Sequence, residues 1–299
     1  MNYKWYKQTL ISQSLGSFLQ QKGFSRTQLK QFKFRQGQIY VNHKKRHLDF
    51  KLVLNDEVIV VLPKEVTSTK IKPMAGKIDI LFEDDNYLLL NKPAGIASLP
   101  AKNINTPTMA NLVKYYLQRT NQDNDVIHLV SRLDRDTSGV LTLTKNSYAH
   151  HLIDRQFRTA NIQKEYLALV HDKLPVSTKW QTIDLPIGIN DSNPNLRQVT
   201  NDGKPSVTKY LTVQQFSNYT LVRLRLITGR THQIRVHMAA IGHPLVGDLN
   251  YGGSQDIIKR QALHCISLTF WDYIGDRKLQ VRAPLPKDFK LLADKTVGK

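Results

Sequence analysis

Along the chain, apolar positions recur with two periods, a spacing of two that marks half-buried strands and a spacing of three to four that marks amphipathic helices. Period-two alternation predicts strands at residues 38–42 (Gln38-Ile39-Tyr40-Val41-Asn42) and 57–62, where the run closes at Pro63. It predicts them again at 78–82 and 87–91, which form a hairpin around Glu83-Asp84-Asp85-Asn86, and at 140–144, 162–170 and 219–227. In the last of these Val222, Leu224 and Leu226 alternate with Arg223 and Arg225, and in the 162–170 stretch Lys164 and Tyr166 share one face. Helical spacing predicts short helices at 14–19 and 25–32, the second N-capped by Ser25. Three longer ones follow: one capped by Thr108 with Leu112, Val113, Tyr116 and Leu117 on one stripe, one from Asn146 or Ser147 through Phe157, and one from Thr231 to Ile241 stopped by Gly242 and Pro244. The first residues read as an irregular lead, and 171–205 as short strands and turns.

These elements fall into two groups. The first is compact and basic: residues 1–75 hold 14 Lys+Arg against 4 Asp+Glu, more than half of the net charge of +19 on 299 residues. A polyanionic partner, nucleic acid before an anionic membrane surface, accounts for such an excess better than solubility does. Lys30, Arg35, Lys44, Lys45 and Arg46 cluster on the predicted second helix and first hairpin, where they suit phosphate contacts; a merely solvated basic face is the competing explanation. Residues 64–77, with Pro73, Gly76 and no sustained period, read as a linker. The predicted division is therefore 1–63, a basic domain suited to nucleic acid; 64–77, a linker; 78–290, a larger domain; and 291–299, a tail.

Several classes fall away. One cysteine, Cys265, excludes an internal disulfide framework and reads as a small core residue; no paired zinc spacing occurs, and His232 and His237 stand five apart, poor spacing for two ligands on one helix face. No metal and no cofactor are expected, since no phosphate-cradling glycine loop is present either. No apolar run nears the roughly 20 residues of a membrane helix. Met1-Asn2-Tyr3-Lys4-Trp5 opens no secretory signal, so a cytoplasmic protein with no membrane partner is expected.

Candidate chemistry concentrates in Ser131-Arg132-Leu133-Asp134-Arg135-Asp136-Thr137-Ser138-Gly139, a charged, hydroxyl-rich loop between two apolar runs. It holds Asp134 at the lip of a sheet, although the same composition also makes a good turn whose polar side chains satisfy only their own backbone. Four segments decide between those readings. Leu90-Asn91-Lys92-Pro93-Ala94-Gly95, the loop from Arg132 to Gly139, Lys164-Glu165-Tyr166-Leu167-Ala168, and the run from Gly229 to His237 (Gly-Arg-Thr-His-Gln-Ile-Arg-Val-His) occur in this order. Together they resemble the RluA-type RNA pseudouridine synthase family over about residues 78–285. The front segment, about residues 12–63, resembles the small RNA-binding domain named after ribosomal small-subunit protein four.

The resemblance implies an α+β pseudouridine synthase fold, with a mainly antiparallel mixed sheet flanked by helices behind that small domain. It implies isomerisation of a uridine within structured RNA, ribosomal RNA favoured and transfer RNA possible, by a monomer that flips the base out of its stack. Asp134 matches the catalytic aspartate, which either attacks the anomeric carbon or removes a proton from the sugar. Arg230 matches the arginine that pairs with it, and Tyr166 the tyrosine that stacks on uracil and takes the proton from carbon five. Arg132 matches a residue that fills the gap left by the flipped nucleotide; Lys164 is a candidate for phosphate and Leu263 for the wall of the base pocket. Two departures from the family pattern, Ser131 in place of His and Ser98-Leu99-Pro100 where His-Pro is frequent, bear on RNA selection. A non-catalytic RNA-binding or ribosome-associated protein would account for the charge but not for Asp134, Tyr166 and Arg230 together. A retaining glycosidase would need a second carboxylate that no motif supplies.

Overall fold

A computed structural model of the chain describes residues 1–34, 37–67, 71–101, 106–120, 125–159 and 161–289. The front module runs β1 (Asn2–Tyr6), β2 (Gln13–Ser14), α1 (Leu15–Gln21), α2 (Arg26–Phe34), β3 (Gln38–Val41), β4 (Lys44–Lys45), β5 (Lys51–Leu52) and β6 (Glu57–Val61). The larger part continues with β7 (Ile80–Glu83), β8 (Tyr87–Lys92), α3 (Met109–Arg119), β9 (His128–Leu129), β10 (Ser138–Thr144), α4 (Ser147–Arg158) and β11 (Gln163–His171). It ends with β12 (Gln181–Asp184), β13 (Ile187–Ile189), β14 (Arg197–Val199), β15 (Val207–Gln215), β16 (Tyr219–Leu226), α5 (Gln233–Ala240), β17 (Leu263–Asp272) and β18 (Arg277–Arg282).

The helices begin where side chains can satisfy their free amides. Ser14 accepts from Ser17 N and Asn146 from Ala149 N, while Ser25 and Gln28 bond each other's backbone amides reciprocally. The lead expected to be irregular is a strand: β1 pairs antiparallel with β6, Tyr3 against Val60, which puts Tyr3 in the core of the module. Its apolar positions are too few and too close to the terminus to show a period. β1, β6, β3 and β4 form one sheet, with the lysines of β4 on its outer edge.

The main sheet has ten strands, in the order β12-β15-β16-β11-β17-β10-β8-β7, with β18 beside β17 and β9 beside β10. Among the described residues its pairings are antiparallel except β10 with β17, so it is mixed and mostly antiparallel. β10 is buried at all seven positions, as a central strand covered on both faces must be, and α4 packs against both β10 and β17. The parallel pair requires close approach at Gly139, whose φ of 111° lies in glycine territory and whose added Cβ would stand 2.1 Å from the Cys265 carbonyl oxygen. Cys265 is itself fully buried.

The two parts are docked through α4. Tyr148 and Leu152 belong to the module's apolar core, with the Tyr148 ring stacked on Phe24 at 4.0 Å between centroids. The Tyr148 hydroxyl donates to Lys22 O at 2.6 Å and the Tyr3 hydroxyl to Asn86 Oδ1 at 2.6 Å. The connecting segment is also tied down: Glu65 accepts from Ser147 N at the start of α4 and pairs with His128, and Asn111 Nδ2 donates to Lys72 O.

Candidate active site

Asp134 is fixed by its neighbours in the loop between β9 and β10. Leu133 plugs into the core, and the Ser98 hydroxyl both donates to Leu133 O at 2.8 Å and accepts from Leu133 N at 3.1 Å. Thr137 N donates to Asp134 O, closing a tight turn. Below it the buried Lys92 ammonium donates to Pro93 O, Ile96 O and Arg135 O at 2.7–2.8 Å. Burial pulls that ammonium down to about 7 against the attraction of Asp136 and Asp134, and three carbonyl acceptors give each of its protons a partner. The two loops are thereby cross-linked through one side chain, and the Asp134 carboxylate faces a cavity of about 800 Å³.

Across the cavity stands α5. The chain turns out of β16 through residues 227–232, and His232 takes a left-handed conformation at φ 58°, so the helix starts at Gln233, two residues later than its apolar spacing predicts. Arg235 in its first turn donates to Asp248 through Nε at 2.6 Å and Nη2 at 2.8 Å, and reaches Asp134 Oδ2 through Nη1 at 3.4 Å. The Tyr251 ring covers its guanidinium at 4.8 Å. Burial works against the charge, but the Asp248 bonds and Asp134 outweigh it and hold Arg235 above its ordinary value. The partner of Asp134 is therefore Arg235 and not Arg230, as the resemblance implied. Arg230 precedes the helix, and its guanidinium is turned away to Pro205 O at 3.2 Å while its amide donates to Gln233 Oε1. It still lines the cavity.

His232 Nε2 lies 4.0 Å from Asp134 Oδ2, and its Nδ1 is 2.9 Å from the Tyr251 hydroxyl, which accepts from Arg197 N. Burial, with the Arg235 and Arg197 charges, holds this imidazole below its ordinary value against the pull of Asp134.

The third wall is β11. Its register against β17 shifts between Glu165 and Tyr166, a bulge that re-aims a side chain. Tyr166 is buried and lines the cavity together with Lys164 and Leu263. Burial pushes the Tyr166 phenol well above its ordinary range, so near neutrality it stays protonated and offers its ring face more readily than a proton-accepting oxygen. Lys164 packs its ammonium 4.4 Å from the centre of the Phe157 ring, and burial lowers it to about 8. Arg132 is exposed at the rim. The cavity thus unites Asp134, Tyr166, Arg132, Lys164, Leu263 and Arg230, drawn from four separate stretches of the chain.

A model of RNA pseudouridylate synthases matches residues 86–240, which span β8 to α5 and include every wall just described except Leu263. The chain belongs to the RNA pseudouridine synthase family. An RNA pseudouridine synthase of Bacillus subtilis, YhcT, is 41% identical over 85% of this chain and 84% of its own length. Ribosomal large subunit pseudouridine synthase D of Pasteurella multocida is 33% identical over 91% of this chain and 86% of its own. Among solved structures, human RNA pseudouridylate synthase domain containing 1 superposes with a TM-score of 0.57 at 25% identity, covering 76% of this chain and 98% of that one. This synthase is accordingly an isomerase whose substrate is RNA.

The synthase's front module presents Lys30, Lys44 and Lys45 to solvent, whereas Arg46 folds back with its guanidinium 4.5 Å from the Phe50 ring. Arg35 lies outside the described residues. No helix among the described residues is long and apolar enough to cross a membrane. Lys92, Ser98, His232, Arg235, Asp248 and Tyr251 also build or support the site, and pattern and motif gave none of them a part in it. For Arg235 and His232 a signal existed, since they stand inside the quoted Gly229-to-His237 segment, and Asp248 ends the His243-to-Asp248 stretch, which also resembles the family; Tyr251 is brought near by the fold.

Proposed function

We propose that this synthase isomerises a uridine of structured ribosomal RNA, with Asp134 as the reacting carboxylate. The observation that carries the reading is the Asp134 carboxylate on the cavity wall, 3.4 Å from a guanidinium that two Asp248 bonds hold in place. The bond from uracil N1 to the sugar breaks, the base turns within the cavity, and carbon five bonds to the same sugar carbon, its hydrogen leaving as a proton to water while N1 takes up a proton from water. Attack on the anomeric carbon and removal of a sugar proton both call on the same carboxylate beside the same cation. Tyr166 supplies the stacking face for the turning base and Leu263 an aliphatic wall. Arg132, at the rim, enters the gap left by the flipped nucleotide, and an unstacking cost of a few kcal/mol is offset by stacking and phosphate contacts.

Residues 1–63 act as a small RNA-binding domain of the ribosomal small-subunit protein four type, joined through 64–77 to a catalytic domain at 78–290 with a tail at 291–299. Lys30, Lys44 and Lys45 make its phosphate contacts, and the chain works as a cytoplasmic monomer. The ribosomal assignment is supported by relatives whose names specify the large ribosomal subunit. The test uses RNA tritiated at carbon five of uridine. Wild-type protein is expected to release tritium from ribosomal RNA lacking its modification, and Asp134→Asn to release none while binding RNA with unchanged affinity. Retained activity in Asp134→Asn overturns the residue assignment. Pseudouridine mapping in a strain lacking the protein identifies the uridine, and a missing site in transfer RNA only would overturn the ribosomal one.

A further inference from the structure

A second cavity, of about 380 Å³, lies where the front module meets α4, on the far side of that helix from the catalytic one. Trp5 of β1, Lys22 after α1, Tyr148, Arg155 and Gln156 of α4, and Tyr273 beyond β17 line it. Three features set its chemistry. Tyr148 forms a rigid floor, stacked on Phe24 and bonded to Lys22 O, while Tyr273 is 56% exposed and stands free at the edge. Lys22 and Arg155 bring positive charge, and no carboxylate is among the described lining residues. The Gln156 amide that closes one end is already locked, donating to Trp271 O and accepting from Trp271 N at 2.7–2.8 Å, so the shape is preformed. The exposed Tyr273 ring beside Lys22 and Arg155, with no carboxylate among the described lining residues and in a cleft within the roughly 300–1,000 Å³ of small-ligand pockets, supplies what an unpaired nucleotide requires: a ring to stack on and a charge for its phosphate.

Position strengthens the case. Phe157 lines the catalytic cavity and its neighbours Arg155 and Gln156 line this one, so a single helix end, with Arg155 and Arg158 in its last turn, separates the two. A strand crossing that end could occupy both. We infer that the module–α4 cleft is a second nucleotide-binding subsite, which holds an unpaired nucleotide of the substrate RNA while the target uridine occupies the catalytic cavity. The inference rests on the RNA reading of the catalytic site, and its location predicts that docking of the front module creates it.

The chain has three tryptophans, and Trp5 is the one in the cleft. Trp180→Phe/Trp271→Phe protein therefore reports on it directly. Titration with a short oligouridylate is expected to quench Trp5 emission saturably. Removing a stacking ring costs roughly fivefold or more in affinity, so Tyr273→Ala should weaken oligouridylate binding by at least about fivefold, and Arg155→Gln by a similar factor. Both sites are on the surface, and unchanged thermal transitions verify the fold of each variant. Absent quenching, or affinities within about twofold of wild type in both variants, overturns the subsite. Displacement of the oligouridylate by polyglutamate at equal charge concentration also overturns it, in favour of an acidic protein partner. Tritium release without quenching sinks the subsite alone, whereas quenching without tritium release sinks the catalytic reading and leaves the cleft standing.

Discussion

Arg235 links two carboxylates of unequal standing, and separating them tests how the site is built. Its side chain is 6% exposed, that of Asp248 2% and that of Asp134 27%. Asp248→Asn removes one member of a buried, doubly bonded ion pair, a change that costs about 3–5 kcal/mol because the guanidinium stays behind without its charge partner. The amide keeps one acceptor oxygen, which places the loss near 3 kcal/mol. At roughly 2–4 °C per kcal/mol for chains of this order, the melting temperature should fall by about 6–12 °C. Asp134→Asn weakens a long 3.4 Å contact to Arg235 and a 4.0 Å approach to His232 at a partly open face, worth about 0–1 kcal/mol, and leaves both Asp248 bonds intact. Its melting temperature should move by at most a few degrees while tritium release disappears. Asp248→Asn should retain measurable turnover, reduced on the order of 10²-fold by misplacement of Arg235, with the loss in kcat and little change in KM. Chemical denaturation and tritium release on both variants separate the two roles. Equal destabilisation by the two substitutions would refute the division between an anchoring and a reacting carboxylate.

Gly139→Ala should destabilise by more than about 2 kcal/mol, since it combines a left-handed backbone with a Cβ driven into Cys265 O; a variant that melts like wild type would mean β10 and β17 are not in register there. His264 is buried, with Nδ1 2.9 Å from Ser138 Oγ, and burial lowers it to about 4 from 6.5. The unfolded chain therefore takes up its proton first, and stability contributed by this group is lost as pH falls from about 6.5 to about 4, by about 3 kcal/mol in total. A His264→Gln variant that loses the same stability over that interval contradicts the assignment. Deleting residues 1–63 would expose Tyr148 and Leu152, so the module's charge is better tested by Lys44→Gln/Lys45→Gln. Two lost phosphate contacts should flatten the log–log salt dependence of RNA binding by about 1.5, and an unchanged slope would remove these lysines from the RNA face.

Much of the fold was legible because its elements carry strong local signals. β16 alternates cleanly, and α3 and α4 have apolar stripes and capping side chains, so their predicted limits fall within about two residues of the observed ones. β1 was not legible, because its burial comes from a partner strand more than fifty residues away and from Asn86 beyond that. β17 was hidden for another reason. It is buried at nearly every position although His264, Ser267, Thr269 and Asp272 are polar, so the order of polar and apolar residues does not record which of them are covered. The segment 64–77 has linker composition, but Glu65 and the Lys72 carbonyl are held by side chains and amides of the larger domain.

The motifs named the Asp134 loop, Tyr166 and Arg132, which the fold gathers around one cavity, while the ion pair was assigned to Arg230 and the structure gives it to Arg235, five residues on. Which arginine faces Asp134 depends on where α5 begins, and that is set by the left-handed turn at His232, which no apolar spacing records. Elementary electrostatics would have favoured Arg235 once the helix start was known. A cation in a helix's first turn opposes the macrodipole by about 0.3–1 kcal/mol, and this first turn contains no acidic residue to relieve it. A buried guanidinium in such a place is stable only if carboxylates arrive from elsewhere in the fold. Two do, Asp248 at its side and Asp134 across the cavity, so the locally unfavourable charge is itself the mark of the site.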